Sequence, residues 1–216
     1  LANLDPDPGN TRADAVAREV ARIYHANSDL EYEDPEGGIS PVRGATQIVF
    51  CDRGTPKKGQ WSVYQGLRDS LTDLGVPPEK VAFIHDAVKP SARLKLQADV
   101  RAGRVAVLIG STEKMGTGLN VQDRLIALHH MDVPWRPADL EQREGRIIRQ
   151  GNKNSEIELL TYVTTGTTDT VMWSKVETKA GYIAQMKRGG TGMDEIEDVG
   201  EITLAEEASA AKAAAS

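Results

Sequence analysis

The chain has 216 residues, a formal net charge of −6, 39% hydrophobic residues, only 5% aromatic residues and a single cysteine. This length holds one full α/β domain with appendages and a sizeable core. Seven acidic residues and no basic one lie between Asp194 and Glu207, so the acidic excess sits in the tail, the body is near neutral, and strong independent binding to nucleic acid is not implied. With no signal sequence and no apolar run long enough for a membrane helix, a cytoplasmic location and no membrane partner are expected. The lone thiol, Cys51, closes an apolar run, where a buried structural cysteine is the default, and no metal-ligand or redox spacing occurs. The chain begins at Leu1 and is expected to be part of a longer protein.

In chain order, Thr11 to Ala26 reads as an amphipathic helix, with Ala15, Val16, Val20, Ile23 and Tyr24 apolar and Arg12, Arg18, Glu19 and Arg22 mostly opposite. Asp34-Pro35, Gly37-Gly38 and Ser40-Pro41 mark Asn27 to Thr46 as an irregular excursion, open to disorder. A regular alternation follows: strand Gln47 to Asp52, helix Gln60 to Leu74, strand Val81 to His85, helix Ser91 to Ala102, strand Val105 to Ile109. Then come strand Leu125 to Met131, helix Ala138 to Gln150, strand Ile157 to Val163 and helix Thr168 to Lys187. Such alternation predicts an α/β parallel sheet with helices on both faces, three layers in all. Domain boundaries are expected at 1–46 for the lead-in, 47–188 for the α/β domain and 189–216 for a mobile acidic and Ala-rich tail. His129 and His130 fall inside a strand and read as packed core histidines, and Trp61 and Trp173 as amphipathic helix residues. Trp135, close to Pro134 and Pro137, is expected to pack and fix the start of the next helix.

Two segments carry chemistry. From Arg104 the sequence RVAVLIGSTEKMGTGLN takes a buried strand into small residues and glycines, which is how α/β proteins bring backbone close to a ligand at a strand's carboxyl end. Gly116 and Gly118 read equally well as turn glycines with positive φ. In QREGRIIRQG, Gln142 to Gly151, three arginines recur every third residue, so on a helix Arg146 and Arg149 share a face with Arg143 at its edge. Such guanidiniums repel one another unless an anion completes them, and their rigid forks suit a phosphate, with a nucleotide triphosphate the favoured ligand. The plainer reading is a solvated face neutralised by Glu141 and Glu144.

These segments together resemble the second RecA-like (C-terminal helicase) domain of superfamily 2 helicases, of the SWI/SNF type or the related phage and plasmid DNA helicases. MGTGLN, Met115 to Asn120, looks like helicase motif V. DVPWRPADLEQREGRIIRQG, Asp132 to Gly151, looks like the Trp-Asn-Pro stretch plus motif VI, and QIVFCD, Gln47 to Asp52, stands where motif IV is expected. The resemblance covers roughly residues 11 to 188. Two departures stand out: Arg136 occupies the usual Asn position, which leaves the subfamily open, and Gln150-Gly151 reverses the usual Gly-Gln order.

The resemblance implies a RecA-like fold of the P-loop NTPase type and a role as the C-terminal lobe of an ATP-dependent helicase or translocase acting on DNA, RNA not being excluded. ATP and Mg²⁺ would serve the complete enzyme, in a cleft shared with an N-terminal RecA-like lobe of the same polypeptide. Neither a GxxxxGK[ST] phosphate loop nor an Asp-Glu helicase box occurs, so the chain alone is expected to be inactive and to bind no cofactor tightly. Arg146 and Arg149 would be the catalytic arginine fingers. Gly118, Asn120 and Gln142 would approach the nucleotide, while Arg143 braces the domain against its own acidic residues. Ser111, Thr112 and His85 would lie along the nucleic-acid backbone. Strand termination remains the other reading of Ser111 and Thr112, and a loop-capping pair that of His85 and Asp86. The alternative function is a stand-alone RecA-like module that binds nucleic acid or protein without ATPase activity. A dinucleotide-binding oxidoreductase is weak, because the glycines do not make GxGxxG.

Overall fold

The computed structural model describes residues 11–57, 59–116, 118–134, 136–148, 150–164, 169 and 171–176. Arg149, Trp135, the tail 189–216 and most of the helix expected over Thr168 to Lys187 lie outside the described residues; of that helix, residues 171–176 are helical. Five strands, β1 (Thr46–Phe50), β2 (Val81–Phe83), β3 (Val107–Gly110), β4 (Leu125–His130) and β5 (Glu158–Thr161), form one sheet in the order β2-β3-β1-β4-β5. Every pairing is parallel. The inner strands β1 and β3 are buried along their whole length, as a parallel sheet covered on both faces requires.

The side-chain alternation of β1 sorts the core into two layers. Val49 and Cys51 face α1 (Arg12–Ala26) and α2 (Val63–Asp73), where Val16, Val20, Tyr64, Leu67 and Leu71 are buried. Ile48 and Phe50 face the other side, with Val100 of α3 (Pro90–Arg101), Met115 of α4 (Thr112–Gly116), Leu119 and Ile147. Helix α1 starts on a capping box, in which Thr11 Oγ1 accepts from Asp14 N at 3.2 Å and Thr11 N donates to Asp14 Oδ2 at 3.0 Å. It belongs to the same core as β1. The 27–46 excursion is irregular yet pinned: the Arg124 guanidinium lies over the Tyr32 ring and donates to Val42 O at 2.6 Å.

Three expectations are corrected. The arginine-bearing helix, α5 (Pro137–Glu144), stops before Arg146 instead of running to Gln150. Gly145 disfavours continuation, and Arg146 N and Ile147 N turn back to Arg143 O and Glu144 O at 3.1 and 3.0 Å. Arg146 therefore lies on the turn after α5; the face expected to be shared by Arg146 and Arg149 involves a residue outside the described ones. Strand β2 ends at Phe83, and Ile84–Asp86 tighten into a 3-10 turn that carries His85. Trp61 lies outside α2, because the Ser62 hydroxyl accepts from Gln65 N at 3.2 Å and begins the helix one residue later.

Both strand histidines are buried, as the pattern predicts. Gln47 Nε2 is spent on Val20 O at 3.0 Å, so its Oε1 accepts from His129 Nε2 at 2.9 Å. His129 Nδ1 then accepts from Tyr162 OH at 2.8 Å, and the ring is neutral. Burial pushes its pKa down to about 3, with the charges of His130 and Arg22 acting in the same direction. In the unfolded chain that ring titrates near 6.5, so between these values the unfolded state binds the extra proton and stability falls as the pH falls. His129 alone is expected to cost about 2 kcal/mol between pH 7 and pH 5. Urea titrations at the two pH values should show a visibly smaller acid loss in His129→Gln; identical pH dependence would reject this assignment.

Candidate functional site

The pairing register builds the site. Phe50 is level with Gly110 on β3 and with His130 on β4, so two residues further Asp52, Thr112 and Asp132 emerge side by side at the carboxyl edge. That is where open α/β sheets present ligand-binding groups. Cys51 N and Met131 N continue the ladder, to Gly110 O at 2.9 Å and Phe50 O at 3.0 Å. Gly110 permits the convergence, since a Cβ there would stand 2.5 Å from Ile84 and 2.7 Å from the Met115 sulfur.

Into this row α5 inserts Arg143, which is 0% exposed. Its Nε donates to Thr112 Oγ1 at 2.7 Å and its Nη1 to Asp132 O at 2.9 Å. Nη2 reaches Asp52 Oδ2 at 2.8 Å and Asp132 Oδ1 at 3.2 Å. The guanidinium also lies 5.0 Å from the centre of the Phe50 ring. The carboxylates are tied in turn: Asp132 Oδ2 accepts from Asp52 N at 2.5 Å and Arg53 N at 3.0 Å, and Asp52 accepts from Thr112 N at 2.6 Å and Thr112 Oγ1 at 2.9 Å. Burial raises the Asp132 pKa, while Arg143 opposes that rise. The segments ending β1, beginning α4 and closing α5 are thus bolted to one buried cation.

Thr112 is committed to this network: its hydroxyl donates to Asp52 and accepts from Arg143, leaving no hydroxyl donor for a phosphate. Ser111 is buried, and its Oγ accepts from Lys114 N at 3.3 Å, so it caps α4. His85 lies at the same edge, because β2 pairs with β3 through Phe83 and Ile109. Its ring meets Tyr64 edge-on at 5.3 Å, its Nδ1 is buried without a hydrogen-bond partner among the described residues, and burial lowers its pKa, as does Lys114. His130 receives Arg143 Nη1 at Nδ1, 3.4 Å away, and turns Nε2 toward Glu144 Oε1 at 3.5 Å, long for a hydrogen bond.

The residues expected near the nucleotide form a second group. Arg146 Nη1 donates to Leu119 O at 3.0 Å, which joins the turn after α5 to the 118–120 segment. Gly118 has φ +69° and open space where a Cβ would stand, so this glycine answers a backbone need, not crowding. Asn120 is exposed; its N–H donates to Gln97 Oε1 at 3.3 Å, while Gln97 Nε2 donates to Gly118 O at 3.2 Å. Gln142 is exposed on α5. The structure therefore joins Arg146 to Gly118 and Asn120 through Leu119, and Ser111 and Thr112 to Asp52. Gln97, Asp52 and Asp132 were not singled out from sequence. The strand-end positions of the two aspartates were the available signal; nothing marked Gln97.

Residues 43–151 match the family model "Helicase conserved C-terminal domain". The chain belongs to that family. Among related sequences, "Defense against restriction protein B" of Escherichia phage P1 is 31% identical over 94 residues, which are 44% of this chain and 4% of that protein. The helicase lobe thus spans a small fraction of that relative. Among solved structures, the C-terminal part of the Fun30 ATPase domain aligns at TM-score 0.55 and 16% identity over 76% of this chain and 44% of that one. The helicase MrfA bound to DNA aligns at 0.54 and 12% over 81% and 21%. S. cerevisiae Dbp5 bound to RNA and ADP BeF3 aligns at 0.53 and 18% over 79% and 36%. At these identities the likeness concerns the fold, the RecA-like parallel α/β lobe of helicase C-terminal domains.

Proposed function

We propose that this lobe completes the ATP site of a nucleic-acid helicase or translocase of the SWI/SNF type or the related phage type, with Arg146 and Arg149 as arginine fingers. The observation that carries the reading is the Arg143 hub. It ties the loops at the carboxyl edge to α5, whose following turn bears Arg146, so the proposed phosphate-facing group and the loops share one support. The groups present suit a triphosphate: the Arg146 guanidinium and the exposed Gln142 amide, beside a glycine turn at Gly118 that leaves room for a ligand. Mg²⁺ would be held by the other lobe, since the phosphate loop and the acidic helicase box that hold it are absent from this sequence. ATP bound between the lobes supplies the phosphoanhydride; this chain supplies charge stabilisation and rigidity. Thr112 acts as a strut within the hub and the buried Ser111 as the cap of α4, leaving His85 and the neighbouring loops to face the polymer. DNA is the proposed polymer, supported by the similarity to a protein named for defence against restriction.

The test is ATP turnover. The 216-residue chain alone is expected to hydrolyse no ATP above a heat-killed control, and the longer polypeptide that carries it should do so, faster with DNA present. Turnover by the chain alone, or a longer protein indifferent to any nucleic acid, would reject the reading in favour of a complete site or a binding module.

A further inference from the structure

The loop that follows β1 carries a group the ATP site does not use. Trp61 is 70% exposed, an unusual position for the largest apolar side chain of the loop. The indole has a built seat: a Cβ on Gly66 of α2 would stand 2.7 Å from Trp61 Cζ2 and 3.5 Å from Cε2, so the ring lies over a position kept bare of side chain. The loop's ends are held as well. Val63 N donates to Gly54 O at 3.2 Å, Gly54 has φ +69° with its Cβ position filled by Val63, and the adjoining Arg53 N is fixed by Asp132 Oδ2. Residues 53–61 contain Arg53, Lys57 and Lys58 and no acidic residue, in a chain whose net charge is −6. Arg53 and Lys57 are exposed and have no ion pair among the described residues.

From this seat and this charge we infer that Trp61 is a stacking platform for an unpaired base of single-stranded nucleic acid, with Arg53 and Lys57 holding the flanking phosphates. The inference rests on the nucleic-acid role proposed above and names the residue that grips the strand. An indole seated on one side and open on the other offers a base its π-face without reading sequence, and cations in the same loop supply a salt-dependent backbone grip. A protein contact would also use an exposed tryptophan, but an acid-free basic loop matches a polyanion better.

The test uses the 216-residue chain and two fluorescein-labelled single-stranded DNA 20-mers, one of oligothymidine and one fully abasic, titrated by anisotropy across a salt series. The wild-type chain is expected to prefer the base-bearing strand by about 10-fold. Trp61→Ala should equalise the two strands while leaving the salt slope unchanged, and Trp61→Phe should retain part of the preference. Gly66→Ala keeps the tryptophan but fills its seat, and should weaken the preference in a helix that alanine otherwise favours. Lys57→Ala should weaken both strands alike and lower the slope by about 1. If both strands bind and the preference survives in Trp61→Ala, the platform is overturned while the nucleic-acid role stands. If neither strand binds at low salt, both fall. An unchanged preference joined to weaker association with the partner lobe would make Trp61 a protein contact and overturn the inference.

Discussion

Replacing Arg143 by alanine is expected to remove about 3–5 kcal/mol of folding stability, the cost of breaking a buried ion pair from one side. In a domain whose whole margin is roughly 5–15 kcal/mol, that leaves a partly unfolded population at 37 °C. The reason is geometric. Two carboxylates, one of them only 3% exposed, stand against one guanidinium, and its removal leaves Asp132 with backbone donors alone beside a second negative charge. Thr112 and the Asp132 carbonyl lose their donors in the same event. Arg143→Lys should fall between wild type and alanine, because one ammonium cannot serve Nε, Nη1 and Nη2 partners in three directions. Pairing Arg143→Met with Asp132→Asn should recover part of the loss, since the second change removes the stranded charge. Urea unfolding of wild type and the three variants measures this, and a loss below about 1 kcal/mol in Arg143→Ala would mean that the hub holds little.

The hub also marks where sequence reading stops. The parallel α/β sheet was legible because β-branched runs such as Val105 to Ile109 alternate with amphipathic helices, and that periodicity survives any detail of packing. The motif segments stood out too, as glycines and arginines in unusual company, and they fall within the 43–151 family match. What could not be read was register. Asp52 and Asp132 lie 80 positions apart, and only the pairing of Phe50 with His130 brings them to one height. A helix was expected over Ala138 to Gln150, but Gly145 and the inward pull on Arg143 ended it at Glu144, so Arg146 lies on the following turn while Arg143 braces the domain against Asp52 and Asp132, as expected of it. Likewise the serine cap that ejects Trp61 from α2 is a local competition for one N–H, which hydrophobic periodicity does not record. Gln97 illustrates a further limit: an ordinary helix surface residue becomes the clamp of the 118–120 turn solely through tertiary placement.

Arg146 is expected to behave in the opposite way to Arg143, costing catalysis and not stability. In a longer polypeptide with the ATPase activity proposed above, Arg146→Ala should lower kcat by at least about two orders of magnitude, as removal of a donor aimed at developing charge does. The fold should change little, because Arg146 is only partly buried and its bond to Leu119 O joins two surface turns. Arg146→Lys should stay severely impaired: an ammonium keeps the charge but loses the fork that grips a phosphate in two places. The rival account makes Arg146 a mere strut for the 118–120 turn. A strut is not required to act on the reacting phosphate, so its loss should loosen nucleotide binding and raise KM with kcat largely kept, whereas a finger acts in the transition state and lowers kcat with KM little changed. Arg149, outside the described residues, is tested beside it by the same substitutions. Near-wild-type turnover in both alanine variants would remove the arginine-finger role; a KM effect confined to Arg146→Ala would assign that residue to the strut and leave Arg149 as the group that meets the γ-phosphate.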